Sequence, residues 1–290
     1  MKHITIGKFE NAMLKKFPRE FAEAWDRTGL LVGNPEEEIC GIAVGLDATH
    51  LAIKQAKEHG ANLLLTHHPL FLEPPASFKP EISGATDVGA AVYEAISSGV
   101  AVMNFHTALD FSPEGACALP NRLGLQVNEL LLKKHEGQEL SFVQEKTPMA
   151  QRLEKDRFCA FGYGSVFEFP QAVSAGEVAK LCEERLGRKP RLWGSPTRAL
   201  ASCVCAGGSG AEVCEPALSS GIDCVIVGEI KYHIALAFAQ AGLTIIELGH
   251  DVSELPLVRI LKESATDVLS CAIDAACVPI IELEQNDYWA

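Results

Sequence analysis

The chain has 290 residues, 48% hydrophobic and 22% charged, with a mean hydropathy of +0.11: ordinary globular composition, long enough for two domains or one elaborated one. No apolar run approaches the ~20 residues of a membrane-spanning helix, and the first eight residues lack the long apolar stretch of a signal peptide, so a cytoplasmic protein with no membrane partner is expected. A formal net charge of −13 repels polyanions on average and disfavours a nucleic-acid partner.

In chain order, a turn-rich run at 25–35 precedes a strand over 40–46 and a helix over 48–59, stopped by Gly60. A short buried strand at 63–65 ends in Thr66-His67-His68-Pro69. A helix over 87–98 stops at Gly99, and a strand over 100–104 ends in Phe105-His106-Thr107-Ala108-Leu109-Asp110. Residues 127–200 differ in character: a polar stretch at 133–139, a strand at 164–169 and a helix over 174–186, with few chemically useful groups. A strand at 203–206 then leads through Gly207-Gly208-Ser209-Gly210 into a helix over 211–220. Strand 223–227 ends in Gly228-Glu229-Ile230-Lys231-Tyr232-His233, helix 232–241 stops at Gly242, and strand 243–248 ends in Gly249-His250-Asp251-Val252-Ser253-Glu254.

Alternating strands and helices of this length predict parallel β-α units. The layout of 56–68 matches 217–229, and that of 95–110 matches 238–254. The expected fold is therefore α/β: two related halves facing each other across a pseudo-twofold axis, packed around a metal cleft. The boundaries place an N-terminal α/β half at 1–126, a middle structural segment at 127–200 and a C-terminal α/β part at 201–290.

Open α/β sheets place their sites beyond the carboxyl ends of their strands. Four such ends carry ligand-type residues: His67 with His68, His106 with Asp110, Glu229 with His233, and His250 with Glu254. Taken singly, each pair has a blander reading: a structural histidine pair, a helix cap, a solvated i,i+4 contact. Their recurrence at strand ends points instead to divalent metal. Imidazoles with carboxylates suit zinc, iron or manganese, and a carboxylate can bridge two ions. Side chains alternate along an extended segment, so His67 is expected to reach one ion and His68 the other. His250 and Glu254 share one face of a first helical turn, which lets Glu254 bridge. The Gly207–Gly210 segment reads equally as a tight turn or as an anion-binding loop. Ten cysteines with no Cys-x-x-Cys pair read as reduced, buried, small apolar residues.

Leu65-Thr66-His67-His68-Pro69-Leu70-Phe71, Phe105–Asp110, Ala206–Gly210, Gly228–His233 and Gly249–Glu254 resemble, in order, the motifs of the NIF-three-like proteins, whose members often carry the name GTP cyclohydrolase I type 2 homologue. The resemblance covers nearly the whole chain, in the short bacterial form. It implies a dinuclear centre in a two-part α/β fold and a ring-shaped homohexamer. It also implies His67 and His250 on one ion, His68 and Asp110 on the other, and Glu254 bridging both. His106, Glu229 and His233 would be outer-sphere or substrate-facing groups, with Glu229 or His106 as proton shuttle. Three positions depart from the pattern: Glu229 stands where Asp is usual, Asp251 where an aromatic is common, and Arg27 where Asn is typical. The expected activity is metal-dependent hydrolysis of a nucleotide-like substrate. The rivals are a phosphoester hydrolase and a non-catalytic protein that stores or delivers metal or acts as a scaffold.

Overall fold

Short runs such as Leu63-Leu64-Leu65 and Val225-Ile226-Val227 are buried on both faces, and such runs become interior strands of a sheet covered on two sides. The computed structural model describes residues 4–80, 88–125, 129–132, 141–142, 162–271 and 278–284. The first elements are α1 (Ile6–Lys16), β1 (Gly29–Val32), β2 (Ile42–Gly45), α2 (His50–Glu58), β3 (Leu63–Thr66), α3 (Val88–Ser98), β4 (Ala101–Asn104) and the single turn α4 (Thr107–Asp110). Short helices α5 (Pro113–Ala116) and α6 (Ala118–Leu123) lead to β5 (Glu129–Leu132), β6 (Ser141–Phe142) and β7 (Gly162–Ser174). Then follow α7 (Ala175–Leu186), β8 (Arg191–Trp193), β9 (Ala199–Ser209), α8 (Ala211–Ser219), β10 (Cys224–Glu229), α9 (Tyr232–Gln240), β11 (Thr244–Glu247), α10 (His250–Cys271) and β12 (Ile280–Glu282).

These elements form two units, Met1–Leu109 with Leu257–Ala290, and Asp110–Pro256. Of the boundaries expected from sequence, that at 126/127 lies outside the described residues, as does the polar stretch 133–139. That at 200/201 falls inside β9.

The first unit holds a five-stranded sheet in the order β1-β4-β3-β2-β12, parallel from β4 to β12 with β1 antiparallel at the edge. On one face Ala43, Leu64 and Val102 pack with Ala52, Ile53 and Ala56 of α2 and Ala91, Val92 and Ala95 of α3. Helix α2 begins where Thr49 accepts the Ala52 N–H at 3.0 Å, two residues inside the expected start.

The second unit holds a seven-stranded sheet, β6-β5-β7-β9-β10-β11-β8, parallel only across β9-β10-β11. Cys203, Cys205, Cys224, Ile226 and Ile246 face α7, and Val204, Val225, Val227 and Ile245 face α8 and α9. Each unit thus contains three successive parallel strands joined by two helices, with an antiparallel edge strand beside the third. This is the repeat that the matching segments led us to expect. Strand β9 is longer than expected and runs through Gly207 and Gly208, so these glycines belong to a strand end. Among the described residues no helix is long and apolar enough to cross a membrane.

Candidate metal centre

In the first unit the carboxyl ends of β2, β3 and β4 lie side by side, and the residues just beyond them are Asp47, His67 with His68, and His106. The ladder continues past the strands through His68 N–H to Leu46 O at 2.9 Å and Phe105 N–H to Thr66 O at 3.0 Å, which fixes these tips against one another. His67, His68 and His106 each offer one ring nitrogen, and the three lie within 4.8 Å of one another. The ring centroids of His67 and His68 are 4.8 Å apart. The expected alternation of this pair does not hold, because the strand ends at Thr66 and the chain bends at both histidines, with Thr66 Oγ1 donating to His68 O at 2.7 Å.

Each of the three imidazoles is held through Nδ1 by an oxygen. His67 Nδ1 meets Phe105 O at 3.1 Å, His68 Nδ1 meets Asp47 Oδ1 at 2.7 Å, and His106 Nδ1 meets Asp26 Oδ1 at 3.0 Å. Carbonyls and carboxylates only accept, so Nδ1 carries a proton in each ring, and in the neutral form the lone pair lies on Nε2, the tautomer that suits a metal ligand. The Asp26 side chain is fully buried and also accepts from Thr107 N–H at 3.0 Å, from the Thr107 and Thr28 hydroxyls, and from Arg27 N–H at 2.7 Å. Burial alone would raise its pKa, but the hydrogen bond of His106 and the charge that ring carries when protonated, together with Thr107 and Arg27, outweigh burial and hold the carboxyl far below the usual range.

In the second unit β10, β9 and the start of α10 bring a different set together. His250 Nδ1 meets Glu229 Oε1 at 3.1 Å, and His250 Nε2 meets Glu254 Oε2 at 3.1 Å. Two donors of one tetrahedral ion with bonds of about 2.0–2.1 Å lie roughly 3.3 Å apart, so the second contact matches a shared ion as well as a direct ion pair. Glu254 is buried against β9: a Cβ on Gly208, which has φ +63°, would collide with Glu254 Oε1. Gly208 N–H donates to Ser253 Oγ at 3.0 Å and Gly210 N–H to Glu229 O at 3.0 Å, so these amides serve packing rather than an anion. Tyr163 donates its hydroxyl toward Gly207 O and Ser209 O, at 2.9 and 2.7 Å. Burial, reinforced by the charges of Asp110, Glu254 and Glu212, pushes this phenol well above its usual pKa.

Asp110 closes α4, half-buried. His233 is exposed on the first turn of α9, and its side chain makes no hydrogen bond or ion pair among the described residues. Sequence reasoning singled out the histidines and Glu229 but gave no role to Asp26, Asp47, Ser253 or Tyr163. Asp47 had a usable signal, since it follows a strand end like the others. Asp26 had none, because it sits 80 residues from its histidine. The cysteines stand apart from this chemistry. Cys203, Cys205 and Cys224 are fully buried, and burial pushes the Cys117 thiol to about 11 and those of Cys182 and Cys214 to about 12.

The model of the Duf34/NIF3 family (NGG1p interacting factor 3) matches residues 4–286. The chain belongs to this family. A GTP cyclohydrolase 1 type 2 homolog of Clostridium perfringens is 28% identical over 258 residues, spanning 89% of each chain. A homolog of the same name from Lactococcus lactis is 26% identical over 269 residues, spanning 90% of this chain and 91% of its own. Among solved structures, a Staphylococcus aureus hypothetical protein superposes with a TM-score of 0.83 at 21% identity, covering 100% of this chain and 99% of that one. Reduced HcgD from Methanocaldococcus jannaschii superposes at 0.72 with 20% identity, covering 98% and 100%. At such identities the likeness is one of fold.

The three residues singled out in the motif comparison, Glu229, Asp251 and Arg27, each have a partner here. Glu229 reaches His250, Asp251 takes Arg188 Nη1 at 2.7 Å, and Arg27 donates from Nε to Leu72 O at 3.1 Å.

Proposed function

We propose that this NIF3-family chain is a metal-dependent hydrolase in which His67, His68, Asp110, His250 and Glu254 hold two divalent ions, of zinc, iron or manganese. The observation that carries the reading is the common tautomer of the histidines in the first unit, each held at Nδ1 by an oxygen and leaving Nε2 as the donor. A histidine buried only for packing does not need two neighbours held in the same way. The cradle at Gly208, where only hydrogen leaves room for Glu254, adds a second unit's worth of positioning.

By the family motifs His67 and His250 would hold one ion, His68 and Asp110 the other, and Glu254 would serve both. Such a pair, when bound, lowers the pKa of a coordinated water toward neutrality and polarises the substrate. Glu229 orients His250, Asp47 orients His68, and His106 and His233 face the substrate. The names of the relatives favour a nucleotide-like substrate over a simple phosphoester. The working form in this reading is a cytoplasmic homohexameric ring.

The test is anaerobic purification without chelators, elemental analysis of the wild type and Glu254→Ala, and assay of both on nucleotides and phosphoesters. About two ions per chain, lost together with turnover in the variant, support the hydrolase, since a two-metal site needs both ions. Two ions without turnover on any substrate assign the chain to metal handling. A wild type without metal refutes the reading.

A further inference from the structure

Residues 185–198 carry Arg185, Arg188, Lys189, Arg191 and Arg198 and no acid, in a chain of net charge −13. This stretch closes α7 and forms β8, an edge strand antiparallel to β11 with Arg191 opposite Glu247 and Trp193 opposite Ile245. Side chains two apart on a strand share a face, so Arg191 and Trp193 stand together, and Glu247 holds both. Its Oε2 accepts from Arg191 Nη1 at 3.3 Å and from Trp193 Nε1 at 3.1 Å. The Arg191 guanidinium lies 5.9 Å from the Trp193 ring centroid, and Tyr232 of α9 meets the same ring at 65° with centroids 5.6 Å apart. Even so, Tyr232 is 68% exposed and the Arg191 side chain 67%. Lys189 and Lys231 are exposed as well. The stretch is pinned beside His250 by Arg188, whose Nη1 donates to Asp251 at 2.7 Å and would lie 3.0 Å from a Cβ on Gly249.

We propose that Tyr232, braced by Trp193 and flanked by Arg191, Lys189 and Lys231, is a recognition subsite for a ring that bears a phosphate, the mononucleotide class. The ring stacks on Tyr232, and the phosphate meets the guanidinium of Arg191 and the two ammonium groups. An aromatic ring held in place yet open to solvent, with cations around it, supplies both halves of that recognition. The proposal rests on the hydrolase reading in one respect, that the chemistry takes place at His250. Glu229 meets His250 Nδ1 at 3.1 Å and precedes Tyr232 by three residues, a length of chain that spans at most about 11 Å. One small ligand therefore reaches from the reacting centre to the ring. Charge complementarity favours an anion here, against the acidic balance of the chain as a whole. The number of rings favours one nucleotide over a strand. Tyr232 is the single exposed aromatic side chain of the second unit among the described residues, whereas a bound strand stacks successive bases on several rings.

Calorimetric titration of the full-length protein, as purified, with GMP, guanosine and ribose 5-phosphate tests the proposal. Tyr232→Ala should weaken GMP and guanosine about fivefold or more, the low end for a lost base stack, and leave ribose 5-phosphate unchanged. Tyr232→Phe keeps the ring and should bind GMP as the wild type does. Arg191→Ala should weaken GMP and ribose 5-phosphate and leave guanosine unchanged. Both side chains are exposed, so the variants test recognition rather than folding. A wild type that does not bind GMP, or GMP binding that neither alanine variant alters, overturns the subsite and leaves the metal reading to stand on the protein's own metal content. GMP binding that responds to both variants in a protein without metal upholds the subsite and removes the hydrolase reading. A short single-stranded RNA bound more tightly than GMP through the same two side chains overturns the mononucleotide as occupant.

Discussion

Replacing Asp26 by asparagine changes a single atom of a fully buried side chain, and the contacts of that atom allow the cost to be worked out. Oδ1 accepts from His106 Nδ1–H and Arg27 N–H, and Oδ2 from Thr107 N–H and the Thr107 and Thr28 hydroxyls. An amide NH2 in the Oδ1 position lets His106 change tautomer but leaves the Arg27 N–H facing a donor. In the Oδ2 position it lets the hydroxyls turn but leaves the Thr107 N–H facing one. Either way one backbone donor loses its acceptor, at about 1–3 kcal/mol, and the remaining bonds lose charge assistance, for a total of about 2–4 kcal/mol. At roughly 2–4 °C per kcal/mol for a chain of this order, Tm should fall by roughly 5–15 °C. The folded pKa of Asp26 lies below its unfolded value of about 3.9, so its contribution is complete above roughly pH 5 and is lost as pH falls from there. Thermal melts of chelator-treated wild type and Asp26→Asn between pH 7.5 and 3.5 should therefore show a gap that narrows as pH falls below about 5. A gap of less than about 1 kcal/mol at pH 7.5, smaller than a single lost acceptor costs, refutes this account. So does a gap that persists unchanged at pH 3.5.

Two further outcomes follow from the packing of the second unit and from the cysteines. Gly208→Ala places an L-residue at φ +63°, at a cost of about 1–2 kcal/mol, and drives its methyl into Glu254. Melting temperature and bound metal should fall together in elemental analysis and thermal melts, whereas a stable, fully metallated variant would show that Glu254 has room to move. A thiol reagent applied to the native protein should modify Cys40 and Cys271, which are exposed, and spare the buried Cys224 together with Cys182, Cys203 and Cys205, which are buried and hold their protons. Peptide mapping by mass spectrometry reads the pattern, and labelling of Cys203 or Cys224 in the native state would contradict the packed core.

Most of the regular structure was legible in the sequence because its signals are local. Gly60, Gly99, Gly221 and Gly242 all adopt positive φ just past the ends of α2, α3, α8 and α9, where a helix-stopping glycine was expected. The strands between them are unbroken apolar runs, as buried parallel strands must be. What escaped was non-local. Strand β7 runs from Gly162 to Ser174, well beyond the expected 164–169, because a register shift between Glu168 and Val173 lets it keep pairing with β9 past an irregular stretch. The return of the chain after α10 to add β12 beside β2 has no signature in β12 itself, a three-residue strand that pairs with residues about 240 positions earlier.

The candidate site divides along the same line. A histidine announces itself by type and by its place after a strand, so His67, His68, His106 and His250 were all visible. The atom that decides what a histidine does is the one on its Nδ1, and that atom comes from elsewhere in the chain: Phe105 for His67, Asp47 for His68, Asp26 for His106, Glu229 for His250. Only Glu229 among these was singled out from sequence, because only it follows a strand in a motif of its own. The distinction between ligand and outer partner therefore cannot be read from spacing, and His106 shows why. His106 and Asp110 carry the same four-residue offset as His250 and Glu254, yet His106 is anchored through Nδ1 by a buried aspartate 80 residues away, while His250 is gripped at both nitrogens by glutamates within its own unit. Equal spacing gives the two histidines equivalent places on their sheets, and the oxygens around each ring give them different chemistry.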